Sequence, residues 1–233
     1  MTICPTKYFV HILVALVLQS SVCAWADDLT ERTDTVYMFA DYGLGTYKSL
    51  LVESNDTMGV MTYGFGANAG AERDLGFEYR QEKQTISFAV NQSSLTSNWS
   101  STIFKYRMWM FELGAVLGDV AMKVEREGDE ILDIVGDGYG GYFGLLIPMN
   151  RTNLAYLNVM SVATSAPVDR KQRTITLGSR LDVEIGGRFA LTRKYLNFDV
   201  GYRRRTISIT ESDVSYSELQ TATFLGFSLG HSF

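Results

Sequence analysis

Along most of the chain apolar and polar residues alternate with a period of two, the spacing that puts successive side chains on opposite faces of a β-strand. TITLGSRLDVEIGGRF carries it most plainly. Ile175, Leu177, Leu181, Val183, Ile185 and Phe189 fall on one face, and Thr176, Gly178, Arg180, Asp182, Glu184 and Arg188 on the other. LNFDVGYRRR repeats the arrangement, with Leu196, Phe198, Val200 and Tyr202 against Asn197, Asp199, Gly201, Arg203 and Arg205. VYMFADYGLGTY sets Val36, Met38, Ala40, Tyr42 and Leu44 against Asp41, Gly43 and Gly45. DLGFEYR sets Leu75, Phe77 and Tyr79 against Asp74, Gly76, Glu78 and Arg80. The chain ends on the same pattern: Leu225, Phe227, Leu229, His231 and Phe233 share a face opposite Phe224, Gly226, Ser228, Gly230 and Ser232.

The pattern predicts ten strands, near 35–47, 57–69, 73–91, 100–112, 116–126, 131–147, 153–163, 173–190, 194–210 and 217–233, with eight or twelve as the other even counts. An even count leaves both termini on one side. The fourth and fifth strands are expected to turn near Gly114–Gly118. Gln81–Gln84 reads as a turn or as a bulge in one long strand. Ile131–Pro148 is strand-like but changes register among its glycines. Scarce proline (3 residues) beside 21 glycines, 13 tyrosines and 13 phenylalanines suits a chain that is mostly sheet.

Two architectures share this alternation. In a soluble antiparallel sandwich or small barrel, the apolar face is the core and the charged face meets water. In a transmembrane barrel the faces are reversed, apolar to lipid and polar to the lumen, with every backbone group paired around a closed sheet. The polar faces combine charges with many Gly and Ser, which suits a crowded interior. Aromatic residues gather toward strand ends, at Tyr42, Tyr47, Tyr202, Phe227 and Phe233, as in the girdles at the two membrane interfaces. The predicted fold is therefore all-β: a transmembrane antiparallel up-and-down β-barrel of about ten strands.

The N-terminus supplies a route. Lys7 precedes the apolar run Tyr8–Leu18, and Ala24 and Ala26 form an A-x-A site, which predicts a secretory signal peptide over 1–26 and a barrel over 27–233. The apolar run is too short to span a bilayer. A residual N-terminal anchor is the alternative. Cys4 and Cys23 both lie in that segment, so the remaining chain has no cysteine for disulfides. The formal charge of −5 becomes −6 without Lys7, which argues against nucleic acid as a partner.

The ending LGFSLGHSF resembles the C-terminal strand of Gram-negative outer-membrane β-barrel proteins, in which a terminal aromatic with apolar residues at alternating positions before it is read by the barrel-assembly machinery. Phe233, Leu229, Phe227 and Leu225 match that pattern, and His231 departs from it, since the family more often has an aromatic there. The resemblance implies a monomer in the bacterial outer membrane, with membrane lipid and the assembly machinery as partners.

Some small barrels of this class are enzymes, and the resemblance implies a histidine base for them. Residues 27–233 contain one histidine, His231, on the apolar face, while its neighbour Ser232 points the other way, so the two form no dyad. There is no zinc-type His/Cys cluster. GYGGYFG lacks the phosphate-loop pattern, and EREGDEILDIVGDG lacks EF-hand spacing. No catalytic residue, cofactor or metal is expected. The inward charges are Asp41, Glu78, Arg80, Lys105, Arg107, Arg180, Asp182, Glu184, Asp199, Arg203 and Arg205, of both signs. Opposite charges in so narrow a barrel are expected to pair across the lumen and largely fill it. The expected role is structural, binding or narrow permeation; a porin-like diffusion channel and a soluble binding module are the alternatives.

Overall fold

The computed structural model describes residues 36–231 apart from 50–53, 70–73, 89–91, 151, 170–174, 193–195 and 212–213. The segment 1–26 and Phe233 lie outside the described residues. Ten strands run in chain order: β1 (Val36–Ser49), β2 (Ser54–Ala69), β3 (Leu75–Phe88), β4 (Ser93–Met108), β5 (Phe111–Arg126), β6 (Asp129–Pro148), β7 (Leu154–Asp169), β8 (Ile175–Ala190), β9 (Leu196–Glu211) and β10 (Val214–His231). Each pairs antiparallel with its sequence neighbours. The sheet closes where β1 meets β10, from Val36 opposite His231 to Lys48 opposite Leu219. This is the closed, ten-stranded up-and-down barrel that the alternation predicts, with the β1 start and the β10 end at one rim, here the terminal rim.

Three local expectations are corrected. The chain does not turn at Gly114–Gly118. It turns at Trp109–Met110, and both glycines lie inside β5. Gly114 marks a close approach of strands, since a Cβ there would sit 2.4 Å from the Phe104 carbonyl oxygen. The real turn was hidden because its residues are Trp and Met, although Trp109 adopts φ = +60°, a conformation bulky residues rarely take. Gln81–Gln84 is neither turn nor bulge: β3 pairs through it in unbroken register with both neighbours. The alternation along β8 is interrupted, because its register against β9 shifts between Leu177 and Ser179. In β6 the register shifts between Val135 and Asp137, at the edge of the glycine-rich run.

The strands are 14 to 20 residues long. About 9–11 residues suffice to cross a bilayer. Sixteen residues at ~3.3 Å each, tilted by ~40°, climb about 40 Å, against an apolar band of about 25 Å. The side chains account for the excess. From the terminal rim upward, β9 presents Leu196, Phe198, Val200 and Tyr202 outward, with Asp199 and Arg203 buried inside. Farther along, Thr206, Ser208 and Thr210 face out, while Ile207 and Ile209 are buried inside at 1% and 0% exposure. β4, running the other way, shows the same switch: Ser94, Thr96 and Asn98 out over Leu95 and Trp99, then Phe104, Tyr106 and Met108 out over Lys105 and Arg107. β3 and β5 switch likewise, to Lys83 and Thr85 over Ile86, and to Asp119 and Lys123 over Val120 and Met122.

Both faces therefore invert at one level of the barrel. The terminal half has an apolar outside and an inside that carries the charges beside smaller apolar clusters, Ile103, Val116 and Met160 in one and Leu154, Tyr156 and Phe224 in another. The distal half has a polar outside and an apolar core that includes Tyr47, Phe88, Val124 and Ile134. A uniform apolar-out reading of the whole wall is thus corrected, and so is the place of Tyr47. It is not a girdle residue but is fully buried in the distal core, edge-on to Phe88 at 6.1 Å. Full burial of one such apolar side chain stabilises by about 1.5–3 kcal/mol, so the inward apolar residues of this half contribute to its cohesion from within.

Candidate functional site

The charged interior occupies the terminal half of the lumen, and its geometry follows from which inward positions the closed register brings level. Nearest the terminal rim, Lys105 Nζ stands 3.1 Å from Glu78 and 3.7 Å from Glu112, and Arg107 Nη2 stands 2.9 Å from Glu112. Tyr37 donates to Glu78 at 2.7 Å, and Tyr142 donates to Asn158 at 2.9 Å and to Glu112 at 3.2 Å. Arg188 Nε reaches Asp199 at 2.8 Å. Two tyrosines of this region lie over glycines. A Cβ on Gly66 would be 2.4 Å from the Tyr37 ring, and one on Gly186 would be 2.7 Å from that of Tyr156, so glycine at these positions makes the room.

A second layer lies deeper. Arg203 reaches Glu184 at 2.7 Å and Asp41 at 3.4 Å, and donates to Thr62 at 2.9 Å. Arg80 reaches Glu78 at 3.0 Å and Glu184 at 3.3 Å. Above it Arg205 joins Glu82, Asp182 (2.7 Å) and the Gln220 side-chain oxygen (3.2 Å). Arg180 pairs with Asp182 and stacks over the Trp99 ring at 4.6 Å. Trp99 belongs to the distal apolar core, so this contact is where the two halves of the filling meet.

All eleven charges singled out from the sequence project into the lumen and take part in these pairs. Three further members were not singled out: Glu82, Glu112 and Arg188. Glu82 shares a face with Glu78 and Arg80 at period two, and that spacing would have found it had Gln81–Gln84 been read as strand. Glu112 sits beside the misplaced turn. Arg188 lies on the polar face of β8 with Arg180 and Asp182. With these, the ion-pair layers hold seven carboxylates and seven cations among the described residues, and an eighth buried carboxylate, Glu218, lies apart from them beside Tyr47 in the distal core. The balance within the layers matters because an uncompensated ion held away from water costs several kcal/mol.

Of the four residues in the C-terminal pattern, Leu225, Phe227 and Leu229 lie on the outer wall at 55%, 54% and 51% exposure. Phe198 packs on Phe227 across the β9–β10 pair at 5.5 Å. No group of three or more potential metal ligands occurs among the described residues.

Two of the voids within the filling border the ion-pair layers. One of about 110 Å³ lies between the Arg203–Glu184 layer and the terminal rim, and its wall includes Tyr37, Asp41, Arg80, Tyr156 and Arg188. The other, between Arg203, Arg205 and the distal core, is only about 10 Å³.

Fold and filled lumen together define the class, a small closed ten-stranded antiparallel β-barrel with an apolar outer belt, the architecture of outer-membrane barrels. No family model matches the chain, and no curated protein does. Among solved structures, the transport unit of the autotransporter AIDA-I from Escherichia coli aligns over 94% of this chain and 97% of its own, at 13% identity and a TM-score of 0.50. Neisserial surface protein A aligns over 84% of this chain and 97% of its own, at 16% identity and a TM-score of 0.45. OprG from Pseudomonas aeruginosa aligns over 87% and 99%, at 12% identity and a TM-score of 0.37. At such identities the likeness is one of fold.

Proposed function

We propose that this chain is a non-enzymatic outer-membrane barrel with a closed lumen, which anchors a rigid β-wall in the membrane and holds its distal half in water. One observation carries the reading: the lumen is filled twice along its axis, by ion-pair layers and then by an apolar core, and the void between Arg203, Arg205 and that core is only about 10 Å³. A water needs about 10–15 Å³ by this measure, so that void holds one water at most, which supports a lumen closed to a file of water. The apolar outer belt supports lipid as the partner of the terminal half. The Thr, Ser, Asn and Lys positions of the distal wall suit water. Export by the N-terminal segment and a periplasmic terminal rim belong to the same reading.

The test is conductance. The refolded protein in a planar lipid bilayer should give no stepwise current above background. Steady single-channel steps would overturn the closed-lumen reading and favour a porin-like channel.

Phe233 belongs to the reading as a signal for the assembly machinery. Its deletion removes one aromatic, worth at most about 3 kcal/mol of burial. The truncated chain should refold in detergent with undiminished yield but reach the membrane of cells in sharply reduced amount. Equal amounts in cells would exclude the signal, and failure in both settings would make Phe233 structural.

A further inference from the structure

We propose that the outer face of β3–β6 is a docking surface for a second copy of this chain, giving a dimer whose twofold axis runs along the membrane normal just outside the β4–β5 pair. The C-terminal resemblance implies a monomer, and a closed lumen needs no partner, so the dimer goes beyond both. It rests on the reading that the apolar belt stands in lipid.

This face has two unlike flanks. On β3 and β4 stands a ridge of rings: Phe77 packs on Phe104 at 5.5 Å, and Tyr79 stands at the next outward position above Phe77. On β5, β6 and β7 the same paired row continues as Ala115, Gly141 and Ser161, all exposed. They form a notch, with Leu117 and Tyr139 above it and Leu113 and Phe143 below it. Packing inside the barrel does not require it. A Cβ on Gly140 would run into the Ser161 carbonyl, whereas one on Gly141 would meet only the Gly114 carbonyl oxygen within 4 Å, at 3.9 Å.

Above the notch and the ridge the flanks differ in charge. Asp119 on β5 and Asp137 on β6 stand directly opposite each other, both exposed. Like charges so placed on a sheet repel. Asp119 accepts from the Ser100 hydroxyl at 2.8 Å, and Lys123, higher on β5, is held by Glu125 and Glu130. On the other flank Lys83 of β3 is exposed and leans toward β2, 5.9 Å from the Tyr63 ring.

A twofold axis along the normal preserves every height and sets β3 of one copy against β6 of the other, and β4 against β5. With strands spaced by about 4.8 Å and tilted by about 40°, a paired row climbs about 3 Å per strand from β3 to β6, and each residue along a strand about 2.5 Å. On that scale Tyr79 and Gly141 differ by about 4 Å in height, Phe104 and Ala115 by about 3 Å, and Lys83 stands within about 4 Å of Asp119 and Asp137. The ridge of each copy therefore enters the notch of the other, and each Lys83 meets the other copy's carboxylate pair. In lipid, apolar area alone does not favour protein over acyl chains, so close fit and these charge pairs carry the association.

The experiment is short bismaleimide cross-linking in dioleoylphosphatidylcholine vesicles, on the full chain with Cys4→Ser and Cys23→Ser. Leu117→Cys, beside the axis, should give cross-linked dimer at low protein-to-lipid ratio. Leu225→Cys, 55% exposed on β10, away from this face, should give at least tenfold less. Gly141→Trp, which fills the notch, and Lys83→Glu should each reduce the Leu117→Cys dimer at least tenfold, and Asp119→Lys added to Lys83→Glu should restore it in part. No dimer at Leu117→Cys, equal cross-linking at Leu225→Cys, or a dimer undiminished by Gly141→Trp overturns the proposal. Acyl chains as the occupant of the notch leave a monomer and overturn it as well. Heat-modifiable gel migration reports whether each variant is closed. Should Gly141→Trp fail to close, the contrast between Leu117→Cys and Leu225→Cys still decides. Flotation with the vesicles reads the belt separately: a barrel that floats as a monomer overturns the dimer alone, and one that does not float overturns the lipid-facing reading and the dimer with it.

Discussion

Val200→Arg should destabilise the barrel in lipid vesicles by about 2–4 kcal/mol, whereas Thr206→Arg, farther along the same strand on the same outer face, should cost at most about 1 kcal/mol. Val200 stands within the apolar belt, between Phe198 and Tyr202. Thr206 stands beyond Arg204, over the buried Ile207. An arginine at Val200 faces hydrocarbon, where nothing solvates it and its backbone neighbours are already paired. At Thr206 it stands between the outward Arg204 and Ser208 of its own strand, at the upper edge of the belt, where its stem covers Leu181 and Leu219 on the neighbouring strands and its guanidinium reaches water. Urea titration of vesicle-folded protein, followed by gel migration, measures both. Equal costs at the two positions would mean that the polarity switch along the wall does not mark the membrane boundary. A large cost at Thr206 alone would place the membrane around the wrong half.

The second large effect lies inside. Arg205→Met should cost about 3–5 kcal/mol, the range for removing one partner of a buried ionic group. Arg205 is 2% exposed and is shared by Glu82 and Asp182, so its loss leaves two carboxylates short of a cation. Arg188→Met provides the contrast. Arg188 is 31% exposed and meets one carboxylate, Asp199, so the expected cost is about 1 kcal/mol or less. Adding Glu82→Leu to Arg205→Met should recover part of the loss, since it removes one of the stranded charges, and a double-mutant cycle reads that coupling directly. If Arg205→Met and Arg188→Met cost the same, the inner layers do not act as a buried network.

The same strands explain how far the sequence could be read. In β9 the outward series Leu196, Phe198, Val200, Tyr202 and the inward series Asp199, Arg203, Arg205 are plain at period two, and so is the barrel they build. Beyond Arg205 the inward residues are Ile207 and Ile209. Within one strand these look like breaks in the pattern, as Tyr47 does in β1 and Ile86 and Phe88 do in β3. Only when the closed register brings them level do they become one core. The two architectures weighed from the alternation, lipid-facing and water-facing, each describe the inside-outside order of one half of the wall.

The partly missed members of the ion-pair network have the same origin. Glu82 lay in a polar run that imitates a turn, and Glu112 beside two glycines that do so as well. Pairing partners such as Arg205 with Glu82, or Arg203 with Asp41, are far apart in the chain, and no spacing rule joins them.

By itself the sequence determined that this protein is sheet, that its strands each carry two faces of different chemistry, and that charges of both signs lie on one of them. Those are local properties: side-chain direction repeats every two residues whatever the strand pairs with. The tertiary structure alone decided which face is inside at each height, where the wall changes from lipid-compatible to water-compatible, and which charges meet. Those depend on ten tilted strands closing in one register, because only closure gives the barrel an interior and sets distant residues on a common level.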